Sequence, residues 1–249
     1  MKTYTLLAAT LFTFIAASPA YAMTHDQAKA LAKAAYKGNT ADLTQLETAA
    51  QQKDARAQTW LGVYFSAKKD YAKAVYWFQK AAQQGNADAE FMMGLAYYHG
   101  QGVPKNYAKA NYWYQKAAQQ GDALAENHLG DDYYNGQGVP KNYAKANYWY
   151  QKAAQQGDAS AEKNLGVAYY YGQGVPQDYA KADYWIKKAA QQGDAGAEAM
   201  MGCVYALGHG VPQNSMKAHY WLGKAAAQGG KAGAMAEKLI QVIENGHTH

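Results

Sequence analysis

Cysteine is almost absent from this chain: Cys203 stands alone in 249 residues. One thiol closes no internal disulfide, so packing has to hold the fold together. Proline occurs five times and charged side chains make up 17% of the sequence, which is not the composition of a disordered or polyelectrolyte segment. Long apolar runs are missing as well. The stretch Leu6 to Ala17 carries no charge, but it falls short of the ~20 residues that a membrane-spanning helix needs. It follows Lys2 and precedes Ala20-Tyr21-Ala22, so residues 1–22 read as a signal peptide cleaved near Ala22. No cysteine lies near that point to take a lipid. The mature chain is therefore expected in the periplasm or secreted, with no stable membrane insertion. Removing Lys2 lowers the formal charge from +5 to +4, too mild a surplus to imply a nucleic-acid partner.

What the chain has in abundance is repetition. Gly100 to Ala123 recurs letter for letter as Gly136 to Ala159, a shift of 36 residues. Full units run over 87–122, 123–158, 159–194 and 195–230, and a shorter copy over 55–86 lacks the Gly-Gln-Gly-Val-Pro loop. A repeat of this length and period is the mark of stacked supersecondary units.

Each unit predicts two helices. Asn86, Asp122, Asp158 and Asp194 are placed to cap the first helix, with Glu90, Glu126, Glu162 and Glu198 in its first turn, where the helix dipole favours an acid. Gly100 and its equivalents can end that helix in a left-handed conformation, and Val-Pro then turns the chain. Asn106, Asn142, Asp178 and Asn214 can cap the second helix. Ala89, Met93 and Tyr97 share a face of the first helix, with Gly94 beside them. Tyr107, Ala110, Trp113, Tyr114 and Ala117 form a stripe on the second. Trp113 and Trp149 are expected to be buried there.

The residues Ala87, Ala89, Met93-Gly94, Tyr97, Gly100-Gln-Gly102-Val-Pro104, Asn106-Tyr107, Lys109-Ala110, Trp113, Lys116-Ala-Ala118 and Gly121 make a pattern that resembles the Sel1-like repeat, a relative of the tetratricopeptide repeat. The pattern is almost complete over 87–194. The last unit departs from it at Ser215 and Gly230, and the first has a short tetratricopeptide-like turn. The resemblance implies an all-α, right-handed α/α solenoid over 55–230, serving as a scaffold or adaptor. Residues 23–54 would form an N-terminal helical cap, and 231–249 a closing helix and tail. Exported bacterial relatives act in envelope processes and in contact with hosts, so the resemblance implies an envelope or host protein as partner.

Comparing the copies with one another separates packing from recognition. Fixed positions are explained by the core. The second, fifth, ninth and twelfth positions of the unit share a face of the first helix opposite the core stripe. The last three of these positions hold Phe91, Leu95 and Tyr98, then Asn127, Asp131 and Tyr134, then Lys163, Val167 and Tyr170, then Ala199, Cys203 and Ala206. The first nine form a candidate groove on the concave side for a peptide or protein segment, with a tyrosine ladder at its centre. The alternative for those tyrosines is packing between adjacent units. Cys203 is expected to be a small buried hydrophobe.

Other chemistry has thinner support. Lys73, Lys109, Lys145, Lys181 and Lys217 recur beside Tyr76, Tyr112, Tyr148, Tyr184 and Tyr220, with a second row at Lys80, Lys116, Lys152, Lys188 and Lys224. Such rows can bind a polyanion, though a solvated face is the commoner meaning. Ser66 with Lys69, and Ser160 with Lys163, fit the S-x-x-K nucleophile motif of β-lactamases. An envelope enzyme or inhibitor acting on β-lactams or peptidoglycan is thus the alternative to a scaffold, but S-D-N and K-T-G motifs are lacking. His247 and His249 at the end could hold a metal only adventitiously. No cofactor and no catalytic or metal site is expected.

Overall fold

The computed structural model describes residues 22–246, so the leader expected over 1–22 lies almost wholly outside the described residues, as do His247 and His249. Thirteen helices and no strand are found among the described residues. A cap of α1 (His25–Tyr36) and α2 (Thr40–Gln51) precedes the short pair α3 (Ala55–Ala67) and α4 (Tyr71–Ala82). Four full pairs follow: α5 (Ala87–His99) with α6 (Tyr107–Gln119), and α7 (Ala123–Asn135) with α8 (Tyr143–Gln155). The others are α9 (Ala159–Tyr171) with α10 (Tyr179–Gln191), and α11 (Ala195–Leu207) with α12 (Ser215–Gln228). The closing helix is α13 (Gly230–Gly246). Each helix packs on its sequence neighbours, and closer approaches between alternate helices join odd-numbered ones such as α1 and α3 or α7 and α9. The odd helices therefore line the inner side of an α/α solenoid and the even helices its outer side.

The helix ends are built as the sequence predicts. Asp122 accepts a hydrogen bond from the Ala125 N–H at 2.7 Å, and Asn86, Asp158 and Asp194 cap their helices in the same way. Gly100, Gly136, Gly172 and Gly208 close the odd helices at φ between 68° and 74°. In the loop that follows, the Asn106 N–H reaches back to the Tyr97 carbonyl at 2.9 Å, and the three later loops close identically.

One contact sets how near the two helices of a pair can come. A Cβ on Gly94 would stand 2.4 Å from the ring of Tyr114, and one on Gly130 equally close to Tyr150. Gly166 meets Ile186 and Gly202 meets Leu222 in the same fashion, and Gly62 meets Phe78. The large side chain of the even helix lies flat against bare backbone of the odd one. Tyr114 is accordingly fully buried. Trp113 and Trp149, expected to be buried, are only half-buried; each lies one position off that line of contact. The outermost ring, Tyr112, stands edge-on to Trp113 with centroids 5.2 Å apart.

The first-turn glutamates do more than meet a dipole. Glu126 is fully buried; one carboxylate oxygen lies 2.7 Å from Lys152 Nζ and the other accepts from the Gln156 amide at 2.8 Å. Glu90 with Lys116 and Gln120, Glu162 with Lys188 and Gln192, and Glu198 with Lys224 and Gln228 repeat the arrangement. Each carboxylate holds its partner's ammonium above the usual lysine range at Lys116, Lys188 and Lys224. The lysine row at these four places is thus neutralised from within. The other row covers rings: Lys109 lies 5.3 Å from the centroid of Tyr97, and Lys145, Lys181 and Lys217 cover Tyr133, Tyr169 and Tyr205. Both rows serve the fold.

Two mutational outcomes follow from these contacts. Gly130→Ala should lower stability by roughly 1–3 kcal/mol through overpacking against Tyr150. The same change at Gly223, whose Cβ would meet nothing within 4 Å, should raise it by about 1 kcal/mol through helix propensity; opposite shifts in melting temperature check the pair. Lys152→Met should destabilise by about 2–3 kcal/mol because it strands the Glu126 charge. The double variant with Glu126→Met should recover most of that loss in urea titrations, whereas simple additivity of the two single changes would contradict the pairing.

Candidate functional site

The concave face is built from the odd helices, and the structure divides the expected groove residues into two kinds. Tyr98, Tyr134 and Tyr170 join one repeat to the next. Tyr98 donates its hydroxyl to the Gln137 side chain at 3.0 Å, Tyr134 to Gln173 at 3.1 Å, and the Tyr170 hydroxyl meets His209 Nδ1 at 2.6 Å. Their rings stand edge-on to Tyr107, Tyr143 and Tyr179 at 5.1 to 5.2 Å. The polar tip of each ladder tyrosine is therefore taken by the neighbouring repeat, which is the packing alternative to a free recognition ladder.

Phe91 is buried against Tyr114 and His128, and Leu95 packs half-buried beside it. Asn127 is also buried, facing the Asn164 amide at 3.4 Å. Asp131 accepts from the Tyr150 hydroxyl at 2.8 Å and the Asn164 amide at 3.2 Å. Val167 is half-buried. Lys163 stretches over Gly196 toward Asp194, 3.8 Å away. Cys203 is half-buried rather than buried, and desolvation pushes its thiol upward; the adjacent Val204 is the core residue.

Further side chains reach the same face. The sixth position of the odd helices, occupied by Trp60, Met92 and His128, faces the same side. Trp60 and Met92 join His25, Val63, Phe91 and Leu124 around a cleft of about 200 Å³. His128 stacks on Tyr114 with centroids 5.1 Å apart, and its burial lowers its affinity for a proton. Leu124 is 51% exposed and forms an apolar step on the inner surface.

Asp132 stands on the core side of the same helix α7. It is 1% exposed, and neither carboxylate oxygen accepts a hydrogen bond; the buried Tyr114 hydroxyl is likewise unpartnered. The other full copies have Ala96, Ala168 and Val204 at this place. Burial, and next the Asp131 carboxylate, push Asp132 up from 3.8 to about 7. The Asn111 amide opposes this only in part, since it donates to the Tyr107 and Gln137 carbonyls. The S-x-x-K pairs do not assemble as nucleophile and base. The Lys163 amine points to Asp194, and Lys69 lies past the end of α3 at φ 63°. No cluster of His, Cys, Asp or Glu among the described residues could hold a metal.

Asp132 makes stability depend on pH with a definite sign. Its folded value lies above its unfolded one, so no penalty exists below about pH 4. Stability is then lost as pH rises through about 7, and the loss is complete above that. Asp132→Ala should therefore stabilise the protein by roughly 1–3 kcal/mol above neutrality and hardly at all in acid. Urea unfolding across this range measures it; an equal gain at all pH values would contradict a charged, isolated carboxylate.

Comparison with known proteins agrees with this architecture. The Sel1 repeat profile matches residues 55–86, 87–122, 123–158, 159–194 and 195–230. A protective antigen of uropathogenic Escherichia coli strains, c5321, which displays an SLR fold, is 30% identical with a TM-score of 0.78. The alignment covers 90% of this chain but only 50% of that one, so the chain spans half the length of this relative. A Sel1 repeat protein from Oxalobacter formigenes is 35% identical with a TM-score of 0.75, covering 83% of this chain and 85% of that one. The chain belongs to the Sel1 repeat family, whose members generally act as scaffolds for protein–protein interaction.

Proposed function

We propose that this protein is an exported, non-catalytic scaffold that holds a peptide or protein segment of an envelope or host partner on its concave face. One observation carries the reading. The recurrent polar groups of the outer side are taken up within the fold, lysine by glutamate and lysine by tyrosine ring, whereas side-chain variation among copies gathers on the inner side. Recognition needs that asymmetry: a rigid frame presenting differing side chains. The E. coli relative's standing as a protective antigen supports exposure to a host, and the leader-like residues 1–22 support export.

Leu124→Asp combined with Ser160→Glu, both at the second position of an odd helix on the inner face, tests this without touching the tyrosine clasps. The double variant should fold with unchanged helicity and lose a partner that the unaltered protein captures from envelope extract or culture medium. Undiminished capture would place the contact elsewhere. Recovery of the protein from the cytoplasm, with residues 1–22 still attached, would overturn the export half of the proposal.

A further inference from the structure

Positive charge that the fold does not neutralise gathers at one place on the concave face. Lys29 and Lys33 on α1 and Lys37 at its C-cap follow one another at intervals of four and are all exposed. None has a carboxylate partner among the described residues, unlike Lys116, Lys152, Lys188 and Lys224. Like charges at this spacing repel along a helix; the dipole at the C-terminal end offsets that at Lys33 and Lys37, but not at Lys29. The row borders a trough of about 360 Å³ between α1 and α3, floored by Ala32, Trp60, Val63 and Tyr64. Lys68 closes the far end, its ammonium 4.5 Å from the centroid of Tyr36 and 5.9 Å from that of Tyr64. Lys29 leans over Trp60 at 5.8 Å.

Spacing identifies what fits. Residues four apart on a helix rise about 6 Å. In an extended chain, side chains two apart lie about 6.6–6.8 Å from one another and point to the same side. An extended segment laid along α1 can therefore meet the three ammonium groups with carboxylates at alternate positions. The side chains between them then face the aromatic floor. The apolar floor is recessed between two helices, which favours an inserted peptide over the surface of an anionic membrane.

We infer that the trough between α1 and α3 binds an acidic segment of a partner protein in which carboxylate and apolar side chains alternate. This rests on the concave-face reading and specifies one part of it. Charge complementarity supplies the attraction, and the lysine spacing supplies the register.

The test uses the whole protein and a labelled peptide, Glu-Leu-Asp-Phe-Glu, followed by fluorescence anisotropy. Saturable binding that weakens with salt is expected. Lys29→Glu with Lys33→Glu and Lys37→Glu should weaken it by at least about tenfold while circular dichroism stays the same. That variant should in turn prefer Lys-Leu-Lys-Phe-Lys, a reversal that damage to the fold cannot produce. No saturable binding by the unaltered protein overturns the inference, as does binding indifferent to the triple reversal. Equal binding of Glu-Gly-Asp-Gly-Glu or of oligothymidylate overturns it too, by showing a plain anion-attracting surface. Leu124→Asp with Ser160→Glu lies outside the trough, so its effect on partner capture tells failure here from failure of the scaffold reading.

Discussion

The solenoid depends on a helix backbone left bare for a neighbour's side chain. Gly94, Gly130, Gly166 and Gly202 admit Tyr114, Tyr150, Ile186 and Leu222 to distances that no Cβ would allow. The position opposite tolerates aromatic or aliphatic groups, yet the glycine does not change. The requirement is thus for absence on one side, with some freedom of shape on the other. Once the two helices lie this close, the first-turn glutamate is enclosed and must find its lysine and glutamine within the same pair. The buried ion pair follows from the approach of the helices.

A second close approach sets how repeats stack. A Cβ on Gly138 would lie 2.5 Å from the Tyr107 carbonyl carbon in the repeat before it. The Tyr98–Gln137 hydrogen bond ties the same two units on their inner side. Backbone contact and tyrosine clasp fix successive pairs against each other, leaving the inner face as one surface instead of a set of independent fingers.

Local features were fully legible in the sequence. Caps at Asn86 or Asp122, stops at Gly100 and turns at Val103-Pro104 are decided by the residues themselves and their near neighbours. The groove was legible in outline only. Projecting one helix onto a wheel shows which side Tyr98 is on, but not that Gln137, 39 residues away, awaits its hydroxyl. The choice between Trp113 and Tyr114 as the buried ring turned on the glycine across from them, a clue present in the sequence as a recurring Gly94. Asp132 was visible too. Only core positions were left out of the comparison among copies, and there a carboxylate stands where Ala96, Ala168 and Val204 are found. The lysine rows read as surface because their partners, the glutamates, were assigned a simpler role in the helix start.

The identity of 100–123 with 136–159 bears on how such a chain changes over generations. These segments contain the loop, the even helix and the start of the next odd one, hence most of what one unit offers the following unit. A unit inserted or lost in whole multiples would find the same clasp and the same glycine waiting for it. Length can then vary without any new interface having to arise, and the reach of the inner surface becomes a quantity that selection adjusts in steps. Each step lengthens the frame, and the side chains that distinguish one unit from the next, such as Asp131, stand outside the identical segments.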